Sequence, residues 1–301
     1  MNNALMFGNG KGGVGKTSLA ANVAGLAAHA GWRVLAVDLD PQGNLGSDLG
    51  YKQDGLGDEG EGLLQAIVAG RPISPITNVR PRLDAIAAGR STTDVWAVVN
   101  NRRSVDAEAI GDLATVLDPL SRAYDLVVID SPPAGGVAVD AALAASRWLV
   151  IPVKFDDGSI DGLELMARQF GAAKSTVNPA LELLGVALFD FSTAGTAIRR
   201  EVRTQLTADL GGIAPVLKSV IRRAERAAYD MRRTGLLAHE YQAKAVESNQ
   251  RVSIAERIRL SRAGQAAPQY SSAADGLAED YAKLATELLL SLGDLHSRVG
   301  R

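Results

Sequence analysis

At 301 residues the chain has room for one large α/β domain or two smaller ones. Hydrophobic residues make up 47% and charged residues 22%, ordinary globular usage that supports a sizeable core, and the absence of cysteine excludes disulfides, thiolate zinc sites and iron–sulfur clusters. The formal net charge of −2 conceals an asymmetry: residues 199–262 carry 14 Lys and Arg against 7 Asp and Glu, a local +7 that leaves −9 for the rest, which points to a basic surface for a polyanion on an acidic body.

The first seven residues lack the basic flank and long apolar stretch of a signal peptide and run straight into a glycine loop. No stretch approaches the roughly 18 apolar residues of a membrane span, so a soluble cytoplasmic protein is expected. Strands are expected at 4–8, 33–39, 83–87, 125–130, 148–153, 184–189 and 216–221, with helices such as 17–30, 106–121, 160–174 and 196–210 between them. This alternation is the signature of βαβ units, and predicts an α/β fold with a mostly parallel sheet covered by helices on both faces. Leu126-Val127-Val128-Ile129 has no polar alternation, as befits a strand buried on both sides. A Gly-, Pro- and Ser-containing stretch at 264–276 reads as a linker to a last helix at 277–292. The expected organisation is therefore one α/β domain over 1–262 with a linker and helical C-terminal appendage over 263–301.

Between the first strand and the first helix, Gly10-Lys11-Gly12-Gly13-Val14-Gly15-Lys16-Thr17 fits the phosphate-loop pattern G-x-x-x-x-G-K-[ST], and Ser18 follows. Its glycines let backbone N–H groups turn inward around phosphate oxygens, and the helix start adds partial positive charge. Lys16 is expected to reach the β- and γ-phosphates of ATP, and the Thr17 hydroxyl to ligate Mg²⁺. The second strand ends in Asp38-Leu39-Asp40-Pro41-Gln42, with two aspartates two residues apart and so on one face. The apolar strand before Asp130-Ser131-Pro132-Pro133 ends in a single aspartate, the Walker B form, which places Asp130 on Mg²⁺ directly or through water.

Lys11, in Lys-Gly-Gly-Val-Gly-Lys-Thr, is the signature of deviant Walker A ATPases, and the order of phosphate loop, Asp-Pro-Gln and Asp-x-Pro-Pro resembles the ParA family of that group. The resemblance covers about residues 4–240 and implies the P-loop NTPase fold, ATP and Mg²⁺ as cofactors, and slow, partner-stimulated ATP hydrolysis. It implies that Lys11 crosses a dimer interface to the partner's nucleotide and that Asp40 orients the attacking water, with Asp38 a supporting acid near the metal. Residues 131–136 resemble the family's second switch loop. The strand ending at Asp190 resembles the one that approaches the adenine, and Arg222 stands where the family has a proline that packs on the base. The short type is expected, without an N-terminal helix-turn-helix.

By the same resemblance, the ATP-bound homodimer is expected to bind double-stranded DNA without sequence preference, to associate with the nucleoid, and to work with a ParB-like partner in partitioning plasmid, phage or chromosomal DNA. In 196–210 the residues Ile198, Val202, Leu206 and Leu210 make an apolar stripe, and Arg199, Arg200 and Arg203 fall off it. With Lys218, Arg222, Arg223, Arg226, Arg232 and Arg233 they form a candidate phosphate-tracking surface. Arg199, Arg203, Arg223 and Arg226 are its leading DNA contacts. Tyr229 alone interleaves, which speaks against single-strand stacking. The tail around 278–290 carries more acid than base, so a MinD-like membrane helix is not expected. The alternatives are positioning of a protein cargo by the same switch, and an ATP-dependent small-molecule ligase of related fold.

Overall fold

The structure, a computed structural model, describes residues 1–133, 135–154, 157–192, 196–212, 214–251 and 274–299. Eight strands form one sheet: β1 (Ala4–Phe7), β2 (Val34–Asp38), β3 (Ile76–Arg80), β4 (Leu83–Ile86), β5 (Leu126–Asp130), β6 (Trp148–Val153), β7 (Glu182–Phe191) and β8 (Val216–Arg222), in the order β3-β4-β2-β5-β1-β6-β7-β8. Every pairing is parallel except β3 with β4. The α/β expectation holds, with β3 as an unforeseen antiparallel edge.

Among the described residues the helices are α1 (Lys16–His29), α2 (Asn44–Asp48), α3 (Glu61–Ala69), α4 (Arg90–Arg103), α5 (Asp112–Ser121), α6 (Val137–Ala145), α7 (Asp157–Thr176), α8 (Thr196–Asp209), α9 (Glu225–Thr234), α10 (Ala238–Arg251) and α11 (Ala274–Val299). The expected helix at 106–121 is split: a 3-10 turn over Ala107–Gly111 leads into α5.

Because side chains alternate along a strand, each central strand feeds two cores. Leu5, Phe7, Val34, Ala36, Val128 and Val150 face a cluster with residues of α1, α10 and α11. Met6, Leu35, Val37, Val127, Ile129 and Leu149 face the opposite cluster with residues of α4, α5 and α6. That double covering is why β1, β2, β5 and β6 are buried at every residue.

The last helix is seated on the sheet. Leu277, Tyr281, Leu284, Leu288 and Leu292 are buried in the α1 cluster. It also closes the exposed edge of β8: Glu287 accepts the backbone N–H groups of Lys218 (2.7 Å) and Ser219 (2.9 Å), and Asp280 accepts that of Arg222 (3.0 Å). Arg203 of α8 donates to the carbonyls of Val216, Leu217 and Lys218 on the same strand. Most of the expected linker at 264–276 lies outside the described residues, as does the proposed boundary at 262.

Candidate nucleotide site

The carboxyl ends of β1, β2 and β5 meet where the strand order reverses, the place at which open α/β sheets bind ligands. The loop after β1 is stitched down by Asn9, whose amide donates to the Pro152 carbonyl (2.7 Å) and whose Oδ1 accepts the Lys11 backbone N–H (2.8 Å). Gly13 and Gly15 are left-handed, at φ 72° and 90°. A side chain at Gly15 would also strike the Phe189 ring. α1 then starts at Lys16 with no side-chain cap, so its first N–H groups are available to an anion.

Lys16 is buried, and its Nζ donates to the carbonyls of Lys11 (2.8 Å) and Asn9 (3.3 Å) inside the loop. Burial lowers its pKa, while the charges of Asp130 and Asp40 work in the opposite direction. Lys11 is half-buried on the loop. Gly12, Gly13, Gly15, Lys16, Thr17, Ser18, Asp40 and Pro133 line a cleft of about 330 Å³.

Asp38 and Asp130 are register partners on β2 and β5, and both are fully buried. Asp38 accepts the backbone N–H groups of Asp40 (3.0 Å) and Leu45 (3.1 Å), and burial pushes its carboxyl up to about 7. Neither Asp130 oxygen has a hydrogen-bond partner among the described residues. Burial holds its carboxyl well above the usual range; the Asp38 charge adds to this, and Thr17 and Lys16 oppose it. A buried, unsatisfied carboxylate beside the loop threonine suits a divalent cation or its water shell. No group of three or more His, Asp or Glu among the described residues forms a metal cage.

Asp40 is 8% exposed, and its Oδ1 accepts the Gln42 N–H at 3.0 Å. In the second switch stretch, Ser131 is tied to the Phe7 carbonyl (2.9 Å), and Ala134 lies outside the described residues. Beside the cleft is a cavity of about 520 Å³ lined by Asp190, Arg222, Leu277 and Tyr281, and it shares Ser18, Phe189 and Arg232 with the cleft. Asp190 has φ 64° and is held by Lys154 (3.1 Å) and Arg223 (3.4 Å). Arg222 is forked onto Asp280, with Nε at 2.6 Å and Nη2 at 2.8 Å, and its guanidinium fills the space a side chain at Gly276 would need.

Among the described residues of the basic stretch, the cations face different ways. Arg222 and Arg232 turn toward the cavity, Arg203 is spent on β8 carbonyls, and Arg226 pairs with Asp230 at 2.9 Å. Arg199 is half-buried on α8, and the side chain of Ile198 lies outside the described residues. Sequence reasoning missed Asn9, Asp48, Phe189 and Tyr281, and took Arg232 for surface. Only Asn9, beside the loop, carried a local signal.

A family profile described as an AAA domain matches residues 2–183. The chain is 34% identical over 192 residues to the chromosome partitioning protein ParA of Myxococcus xanthus, covering 63% of this chain and 65% of that one. It is 32% identical over 212 residues to the chromosome-partitioning ATPase Soj of Treponema pallidum, covering 70% and 80%. The chain thus spans just under two thirds of the Myxococcus relative. Among solved structures, an ATP complex of Cyanothece McdA superposes with a TM-score of 0.71 over 95% of this chain and 96% of that one at 19% identity. A Mycobacterium smegmatis cobyrinic acid a,c-diamide synthase with bound ADP and magnesium gives 0.65 over 90% and 100% at 24% identity. These two establish the fold.

Proposed function

The chain belongs to the ParA family of AAA-domain partition ATPases, and from that premise we propose that it hydrolyses ATP slowly, as a nucleotide-dependent homodimer that binds duplex DNA without sequence preference. The observation that carries this is the convergence of the phosphate loop, the unsatisfied Asp130 and the cleft-lining Asp40 at the end of three neighbouring strands. Loop N–H groups and Lys16 hold the phosphate chain, and Thr17 with Asp130 holds Mg²⁺. Bound there, the ion would neutralise negative charge on the phosphates. Asp40 orients the attacking water, with Asp38 supporting it. Lys11 reaches the nucleotide of the second subunit, where a cation supplied in trans makes charge neutralisation depend on dimerisation.

Asp190 and Arg222 line the neighbouring cavity, which has room for the adenine. A ParB-like partner stimulates hydrolysis and selects the cargo, which would be plasmid, phage or chromosomal DNA on the nucleoid. Among the described residues no helix is long and apolar enough to cross a membrane. The test is ATP binding and turnover by the full chain, with and without duplex DNA, beside Lys16→Ala. Binding should need Mg²⁺ and be lost in the variant; equal affinity in both would overturn the assignment of the cleft. Turnover that needs a small carboxylate substrate instead of DNA or a partner protein would identify a ligase.

A further inference from the structure

Asp48 is a carboxylate in a costly place. It is 8% exposed at the end of α2, and it accepts the Ser18 hydroxyl at 3.1 Å. Ser18 follows Thr17 in the first turn of α1, so this negative charge stands against the wall of the phosphate cleft, where it repels a bound polyphosphate. A buried carboxylate here needs a cation.

The cation is Arg232, 184 positions away in sequence. Its Nε donates to one Asp48 oxygen at 2.8 Å and its Nη2 approaches the other at 3.4 Å. This occupies one edge of the guanidinium, and Nη1 has no partner among the described residues. The side chain remains 48% exposed, and it lines both the phosphate cleft and the adjoining cavity, at their junction. The charge of Asp130 is felt at the guanidinium, a further sign that it stands near the metal-side carboxylate.

We infer that Arg232 is a phosphate-binding residue of the nucleotide site, oriented by Asp48 and donating from its open Nη1 edge to an oxygen of the phosphate chain. The inference rests on the reading of the cleft as an ATP site. Asp48 is the positioning residue: its fork fixes the guanidinium plane, and the arginine cancels the repulsion that Asp48 would otherwise exert on the phosphates. α9 thereby joins the nucleotide to Arg226, one of the proposed DNA contacts, which it also carries.

The experiment titrates ATP and inorganic tripolyphosphate onto the full chain and its variants. Arg232→Gln combined with Asp48→Asn removes both charges and leaves no buried ion unpaired, so the double variant should fold. It should weaken ATP and tripolyphosphate alike by about 10- to 100-fold, the value of one charged hydrogen bond. Arg232→Lys should recover part of the loss, because a point charge lacks the fork. Wild-type ATP affinity in the double variant, while Lys16→Ala binds poorly, would reduce Arg232 to a structural partner of Asp48 and overturn the inference. Weakened ATP with unchanged tripolyphosphate would also overturn it, by placing the effect in the base cavity. No binding by the unsubstituted chain would overturn this inference and the ATP reading together.

Discussion

Asp40 accepts the Gln42 N–H at 3.0 Å and lines the cleft beside Lys16 and Thr17, a carboxylate held by the backbone on one oxygen. Asp40→Ala should therefore bind ATP and still dimerise while hydrolysis falls by about 10²–10⁴, measured by phosphate release against light scattering. Lys11→Ala should bind nucleotide as a monomer and fail to dimerise with ATP; normal dimers in light scattering would make it a bystander. At the far pole, His239 sits 5.5 Å from the His29 ring, beside Glu240 and Arg80. Burial lowers its pKa from 6.5, so on acidification the unfolded chain takes up a proton before the folded one does. Stability is unaffected by this group above about pH 6.5 and is lost as pH falls below it. In His239→Gln, urea denaturation at about pH 5.5 and pH 7.5 should show a smaller drop than in the unsubstituted chain. Residues of the phosphate loop were legible because local spacing defines them. Arg232 was not: it lies in a run of cations, and only the fold shows that Asp48 turns it inward.

The fully apolar strands were readable because helices cover both their faces, leaving no polar positions. β3 was not, since Ile76-Thr77-Asn78-Val79-Arg80 is a partly exposed edge between Pro75 and Pro81 with no run of apolar residues. α11 was legible as a helix, but its seat on β8 was not. That seat depends on Glu287 and Asp280 meeting backbone groups about 60 to 70 positions earlier. Its contribution can be weighed by substitution. Leu288 is fully buried, and Leu288→Ala should cost about 2–5 kcal/mol in denaturant unfolding, the cost of a core cavity. Leu290, 66% exposed on the same helix, should change stability by less than about 0.5 kcal/mol when cut to Ala.

For the molecule as a whole, DNA affinity is proposed to come from two copies fixed side by side by ATP, with gains on the order of 10²–10⁴ over one. Contacts to phosphate make log affinity fall linearly with log salt, by roughly 0.9 per phosphate neutralised. Arg223→Ala with Arg226→Ala should flatten that slope in fluorescence anisotropy and weaken all sequences alike, leaving ATP-dependent dimers intact. Equal binding without nucleotide, or no salt dependence, would remove the basic stretch from the DNA surface. Arg223 is paired with Asp190 at 3.4 Å, which would tie the proposed DNA contact to the rim of the cavity assigned to the adenine. The carboxylates of α11 and the guanidinium of Arg203 have a wider effect along β8. A β-strand from a neighbouring molecule finds these amides and carbonyls already engaged, so the sheet cannot grow by templated addition on that side. If many copies gather on DNA as proposed, this border is thereby shielded from fibril formation at high local concentration.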